Sequence, residues 1–181
     1  MSQNIIKYPG RIFLFAAIAF SISFQARVEL SETAAKALFI YNFVKHVEWE
    51  TDVDPNSPEL VIGVFDDFRQ AAKFSEILSV KSIGSKSLRV IEANNAKEAG
   101  QCQVLFVPNE KLNYYLREAP EISGKGLLVI TESPGMIKNY SCINLVRGDN
   151  KIQFEINERT LKKSGLKASN ELLSLASSVL K

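Results

Sequence analysis

The stretch "LVIGVFDDFRQ", residues 60–70, places an apolar run directly before a helix start. Leu60–Phe65 is short and rich in Val and Ile, as in a buried β-strand. Asp67 is suited to cap the helix that follows, with Gln70 three residues further on. A strand that leads at once into a helix is the repeating unit of parallel sheets, so this stretch predicts an α/β fold.

Three further β-rich runs continue this alternation downstream: "SLRVIEA", "QVLFVP" and "GLLVITE". They cover Ser87–Ala93, Gln103–Pro108 and Gly126–Glu132, and a helix is expected to start near Glu110. We therefore predict one three-layer α/β domain over residues 27–181, with a mostly parallel central sheet and flanking helices.

The pattern changes near residue 141, where "SCINLV" and "KIQFEIN" are joined by the short polar link "RGDN". This arrangement predicts an antiparallel hairpin that ends the sheet. Two helices are expected after it, one with Asn157 as N-cap and Gly165 as its stop, the other opening at Ser169 or Asn170. The second should run to the chain end with an apolar face formed by Leu172, Leu173, Leu175, Ala176, Val179 and Leu180.

The segment "KALFIYNFVKHVEWE", Lys36–Glu50, is interpreted as a helix that is apolar nearly all the way round. On a helical wheel Asn42, Lys45 and His46 share one narrow polar stripe, and apolar side chains cover most of the rest. Such a helix is either enclosed in the core or presents an apolar face to a partner.

The first 26 residues are typical of an export signal, with a basic start and the apolar segment "IFLFAAIAFSISF". This segment is short for a membrane span, so a signal peptide covering residues 1–26 is expected, with cleavage near 23–26. The small-residue rule favours cleavage after Ser23, because cleavage after Ala26 would leave Phe24 at the minus-three position. An uncleaved anchor is the alternative.

The composition excludes several classes of function. The chain has 181 residues and a formal charge of +2, which Lys7 and Arg11 in the expected signal supply. A neutral mature chain argues against nonspecific nucleic-acid binding. The single histidine and two cysteines match no zinc pattern, and no phosphate-binding glycine motif is present. We therefore expect no catalytic residues, no metal and no cofactor.

The two cysteines, Cys102 and Cys142, allow a disulfide if the chain reaches an oxidising compartment. Each begins a predicted strand. If those strands are not neighbours in the sheet, the thiols are instead buried as small apolar groups. The sequence leaves both readings open.

Three blocks of the chain resemble, in order and spacing, the YfiR-like family of bacterial periplasmic proteins. They are "KALFIYNFVKHVEWE", "CQVLFVP" and "GMIKNYSCINLVRGDNKIQFEINERTLKKSGLKASNELLSLA". The chain departs from the family pattern at Glu50, Gln103 and Pro134, where Pro, His and Gly are usual.

This resemblance implies a non-enzymatic periplasmic regulator. Family members hold an inner-membrane diguanylate cyclase inactive by binding its periplasmic domain, which keeps cyclic di-GMP and biofilm formation low. On this interpretation Asn42, Lys45 and His46 lie near the partner surface, and Trp49 is the fourth candidate partner residue, with burial in the core as its alternative. The resemblance also implies a homodimer and makes Cys102 and Cys142 a candidate redox pair.

A second hypothesis is a periplasmic small-ligand-binding module that signals to a sensor kinase or transporter. Parallel sheets bind ligands in the crevice at the carboxyl ends of their strands. Asp66, Asn109, Glu110 and Glu132 lie at or just after the ends of three of the predicted strands, so these four residues are the candidate crevice residues.

Overall fold

A computed structural model describes residues 32–50, 57–122, 126–138, 140–148 and 151–181. The expected signal peptide, residues 1–26, and the last two residues of the "RGDN" link, Asp149 and Asn150, lie outside the described residues. Within them, no helix is both long enough and apolar enough to span a bilayer.

Helices and strands alternate through most of the chain. The helices are α1 (32–46), α2 (Phe68–Leu78), α3 (Ala96–Ala99), α4 (Leu112–Glu118), α5 (Glu158–Lys163) and α6 (Asn170–Leu175). The strands are β1 (Val47–Trp49), β2 (Glu59–Phe65), β3 (Ser82–Ile83), β4 (Lys86–Ala93), β5 (Val104–Val107), β6 (Leu128–Thr131), β7 (Ile143–Arg147), β8 (Ile152–Asn157), β9 (Leu166–Ala168) and β10 (Ser178–Leu180). Single turns of 3-10 helix, Asn109–Lys111 and Met136–Lys138, precede α4 and β7.

The main sheet has the strand order β10-β8-β7-β6-β5-β2-β4-β3 among the described residues. Strands β4, β2, β5, β6 and β7 are parallel, whereas β8 pairs antiparallel with β7. This confirms the predicted mostly parallel sheet with an antiparallel hairpin. The four strands predicted before the hairpin are found within two residues of their expected bounds.

The central strand β2 shows why the fold has three layers. Its side chains alternate between two apolar clusters, with Leu60, Ile62 and Val64 on one face and Val61 and Phe65 on the other. The first face is covered by α1, α2, α5 and α6, and the second by α3 and α4. Both faces of the sheet are therefore buried, as is usual for a parallel sheet.

Glycine at position 63 of β2 is required by close packing. A Cβ atom there would lie 2.7 Å from the Cys102 Sγ, closer than real contacts allow. The absence of a side chain lets the segment before β5 pass close to the sheet.

The predicted helix starts are confirmed by their hydrogen bonds. The Asp67 carboxylate accepts a bond from the Gln70 N–H at 2.9 Å, and Asn157 caps α5 in the same way. Ser169 is the cap of α6, and Gly165 ends the α5 segment at φ +69°.

Two predicted helices end earlier than expected, and both errors have one cause. Helix α1 ends at residue 46, and Val47–Trp49 instead pairs antiparallel with β9. Helix α6 ends at Leu175, and Ser178–Leu180 pairs parallel with β8, where Ser177 N–H donates to the Phe154 carbonyl at 2.8 Å. Each segment contains Val or Trp and meets an open strand edge, so tertiary pairing overrides the helical pattern.

Candidate functional site

Helix α1 presents one exposed ridge, formed by Leu38, Asn42 and Lys45. The three residues follow i, i+4, i+7 spacing and so stand on one side of the helix. The opposite side, with Ile40, Phe43 and Val44, is buried in the first cluster. Most of the apolar surface of α1 is therefore buried in the core. Asn42 and Lys45, two of the four candidate partner residues, lie on the exposed ridge.

The Tyr41 ring beside this ridge lies under two ammonium groups. Lys45 Nζ is 5.7 Å from the ring centroid. Lys81 lies in the segment after α2, and its Nζ is 5.1 Å from the same centroid. The Tyr41 hydroxyl donates to the Ser82 carbonyl of β3 at 3.4 Å. Sequence reasoning missed Tyr41 and Lys81. The i, i+4 spacing of Tyr41 and Lys45 was a usable signal, but Lys81 is brought in only by the fold.

His46 contacts the start of α6 rather than lying free on the ridge. Its Nδ1 is 3.4 Å from the Ser169 Oγ and 3.4 Å from the Glu171 Oε2. Its carbonyl accepts a bond from the Ser169 N–H at 2.8 Å. His46 therefore has a structural contact, and its side chain is only partly exposed.

Trp49, the fourth candidate partner residue, lies in β1 and not on α1. Its indole Nε1–H donates to the Gly126 carbonyl at 2.7 Å, and the ring packs against the first core cluster. The polar atom of the indole is already satisfied, so Trp49 anchors the β1–β9 ribbon to the loop before β6.

A crevice of about 250 Å³ opens at the carboxyl ends of β5, β6 and β7. Three of the four predicted crevice residues, Asn109, Glu110 and Glu132, line it. Sequence reasoning missed three further charged residues of its wall: Glu32, Lys36 and Arg147. For Glu32 and Lys36, the i, i+4 spacing was the only signal in the sequence.

A chain of ion pairs crosses the wall of this crevice. Lys36 Nζ lies 2.6 Å from Glu132 Oε2 and 3.1 Å from Glu32 Oε1. Arg147 Nη2 lies 2.7 Å from the other Glu32 oxygen, and the Asn109 N–H donates to Glu132 at 3.2 Å. These contacts fasten α1 to the ends of β6 and β7.

Burial and charge act in opposite directions on the pKa values of this chain. Burial raises the pKa of Glu132 and outweighs the Lys36 ammonium beside it. Burial also works against the charged form of Lys36, but the bonds to Glu132 and Glu32 leave the pKa of Lys36 raised. For Glu32, burial is outweighed by Lys36 and Arg147, so its pKa is lowered.

Asp66 does not line the crevice. It follows β2, which β5 separates from β6, so it is displaced by two strand spacings, roughly 10 Å. Its carboxylate pairs instead with Lys111 Nζ at 2.9 Å, which raises the pKa of Lys111. The backbone of Asp66 is left-handed, at φ +48°.

Both cysteines are free and buried. Cys142 belongs to the first core cluster and Cys102 to the second, and β6 lies between the strands that they precede. Burial raises the pKa of each thiol to about 11. In the structure the two thiols are therefore buried as small apolar groups in separate clusters.

The described residues contain no group of three or more His, Cys, Asp or Glu side chains arranged to bind a metal ion. The two surfaces are a ridge with cations over an aromatic ring and a small charged crevice.

Comparison with known proteins gives a family and a fold. A family model described as YfiR/HmsC-like matches residues 33–177. Among curated proteins, none matches the chain. A solved structure titled as the ABC domain in complex with L-Trp, from Streptococcus pneumoniae, has a similar fold, with a TM-score of 0.50 and 9% identity. The similarity covers 67% of this chain and 55% of that one.

Proposed function

Because the chain belongs to the YfiR/HmsC-like family, we propose that it binds the periplasmic part of an inner-membrane signalling protein and represses a diguanylate cyclase. The family is regulatory, non-catalytic and periplasmic. Repression of a cyclase lowers cyclic di-GMP and with it biofilm formation. The observation that carries this proposal is the family match over residues 33–177.

The α1 ridge supports a binding role. Ile40 and Phe43, on the other side of the helix, are fully buried, which fixes the position of α1 on the sheet. Asn42 and Lys45 are therefore displayed by a rigid element, and a rigid display lowers the entropy cost of binding.

The test is affinity capture followed by a measurement of the second messenger. The chain is tagged at its C-terminus and expressed in its native host, and the detergent-solubilised membrane proteins that stay bound are identified. We expect a diguanylate cyclase with a periplasmic domain, and a rise in cyclic di-GMP when the regulator is deleted. Capture of a histidine kinase instead, with unchanged cyclic di-GMP, would contradict the proposal.

The crevice favours a second candidate function, the recognition of a small solute. It lies where parallel sheets bind ligands and brings together Asn109, Glu110 and Glu132 with Lys36. The similar ABC domain was solved with L-Trp bound. Thermal unfolding of the mature chain with L-Trp and other amino acids tests this function. A ligand present at a hundred times its Kd adds about 2.7 kcal/mol, and this gain should be lost in Glu132→Gln.

A further inference from the structure

The Tyr41 cluster consists of the exposed Lys45 and the partly buried Tyr41 and Lys81, and it brings two positive charges together at the surface. The two lysines come from different elements and lie over the same ring, at 5.7 and 5.1 Å from its centroid. An ammonium group over an aromatic face is stabilised by the ring quadrupole, and this offsets part of the repulsion between the two cations.

Neither lysine of the cluster is in an ion pair with any described carboxylate. This distinguishes both from Lys36, Lys73 and Lys111, each of which contacts a Glu or Asp oxygen. Contact with a ring leaves the outer side of an ammonium group open to a carboxylate, and two such groups attract acidic ligands more strongly than one.

Exposed apolar side chains flank the same cluster. Val80, adjacent to Lys81, is 84% exposed, and Leu38, one turn before Tyr41, is 42% exposed. The short strand β3 beside them ends the main sheet and has no outer neighbour within the described residues. An exposed apolar patch that is rimmed by polar or charged side chains is a feature of interaction sites on protein surfaces.

We propose that the Tyr41 cluster, with Val80 and Leu38 beside it, docks an acidic segment of the membrane partner's periplasmic domain. The proposal rests on the proposed function and names the chemistry of its partner. Charge complementarity selects this occupant, because the surface offers apolar contacts and two ammonium groups that pair with no described carboxylate. A segment that carries both carboxylates and apolar side chains satisfies both features.

The test uses the purified periplasmic domain of the host's membrane-bound diguanylate cyclase as the probe. Its affinity is measured for the mature chain and for Lys45→Glu/Lys81→Glu, at roughly 50 and 500 mM salt. Arg117→Glu/Lys97→Glu is the matched control. It makes the same charge change on the opposite face of the sheet, where α3 and α4 lie, and it likewise removes a cation from above an aromatic ring, because Arg117 lies over Tyr114.

We expect Lys45→Glu/Lys81→Glu to bind at least about tenfold more weakly at low salt, with a smaller difference at high salt. The control should stay within about twofold of the parent chain. Circular dichroism should show both variants folded, and Lys45→Gln/Lys81→Gln, which removes the charge without reversing it, should show an intermediate loss.

Binding of Lys45→Glu/Lys81→Glu within about twofold of the parent would overturn the inference and leave the proposed function standing. Failure of the parent chain itself to bind the domain would overturn both. Flotation with vesicles that contain phosphatidylglycerol checks another occupant. If the two substitutions abolish vesicle binding but leave domain binding unchanged, the surface binds membrane and the inference is wrong.

Discussion

Replacing Lys36 with methionine removes the cation that joins α1 to the end of β6. The side chains of Lys36 and Glu132 are only 16% and 11% exposed, and their charged atoms are 2.6 Å apart. Methionine keeps a similar length and packs against the same neighbours. The substitution therefore tests the charge and not the volume of the side chain.

The magnitude follows from which carboxylates lose their partners. Removing one member of a buried pair costs about 3–5 kcal/mol, because the other charge stays buried. Glu32 keeps Arg147 at 2.7 Å, and Glu132 keeps the Asn109 N–H at 3.2 Å. These remaining contacts place the expected loss at the lower end, about 3 kcal/mol of unfolding free energy at neutral pH.

The loss should depend on pH with a defined sign. Burial already raises the pKa of Glu132, and removing Lys36 takes away the main group that opposes the rise. An acid whose pKa is raised on folding destabilises the folded state above its unfolded pKa, and this penalty fades as the pH falls through the raised folded value. The destabilisation in Lys36→Met should therefore shrink from pH 7.5 to about pH 5.

Urea unfolding of the parent and Lys36→Met at both pH values measures this effect. Lys73→Met is the control, because Lys73 and Glu76 form an exposed pair on α2 at 3.3 Å, and its loss should cost less than about 1 kcal/mol. Adding Glu132→Gln to Lys36→Met should recover most of the stability. An unchanged free energy of unfolding in Lys36→Met at neutral pH, or an equal loss at both pH values, would refute this account of the pair.

Three further predictions concern the sheet. Gly63→Ala should lower the unfolding free energy by about 1–3 kcal/mol in thermal or urea unfolding, and Cys102→Ala should rescue it by removing the Sγ that the new Cβ meets. Cys102 and Cys142 should react with a thiol reagent only when the chain is unfolded. Both thiols are buried, and burial raises the pKa of each to about 11. Fast labelling of the native chain would contradict this prediction. Deleting residues 177–181 should open the edge of β8 and promote self-association in size-exclusion chromatography, whereas an unchanged, monodisperse elution would show that β10 does not protect this edge.

The sequence predicts this fold wherever the signal is local. Leu60–Phe65 is buried along its whole length, and Asp67 caps the next helix through a residue three positions on. Strand runs and caps of this kind depend on a few neighbouring residues, so they can be recognised without knowing what packs against them.

The misplaced elements and missed residues depend on contacts between distant parts of the chain. Ser178–Leu180 becomes a strand because the edge of β8 is available, although its own sequence continues the pattern of α6. Lys81 reaches Tyr41 only through the packing of α2 and β3 beside α1. The crevice shows the same limit, since Asp66 and Glu132 both follow strands but are separated by the strand order.

Helix α1 performs separate tasks on its separate sides, and this makes its surface open to experiment. Phe43 and Ile40 hold it to the sheet, Lys36 ties its first turns to the crevice, and Lys45 lies on the exposed ridge. A charge change at Lys45 leaves the buried contacts and the Lys36 pair intact. A loss of partner binding in that variant, with stability unchanged, can therefore be assigned to the surface, whereas the same loss in Lys36→Met could not be separated from unfolding.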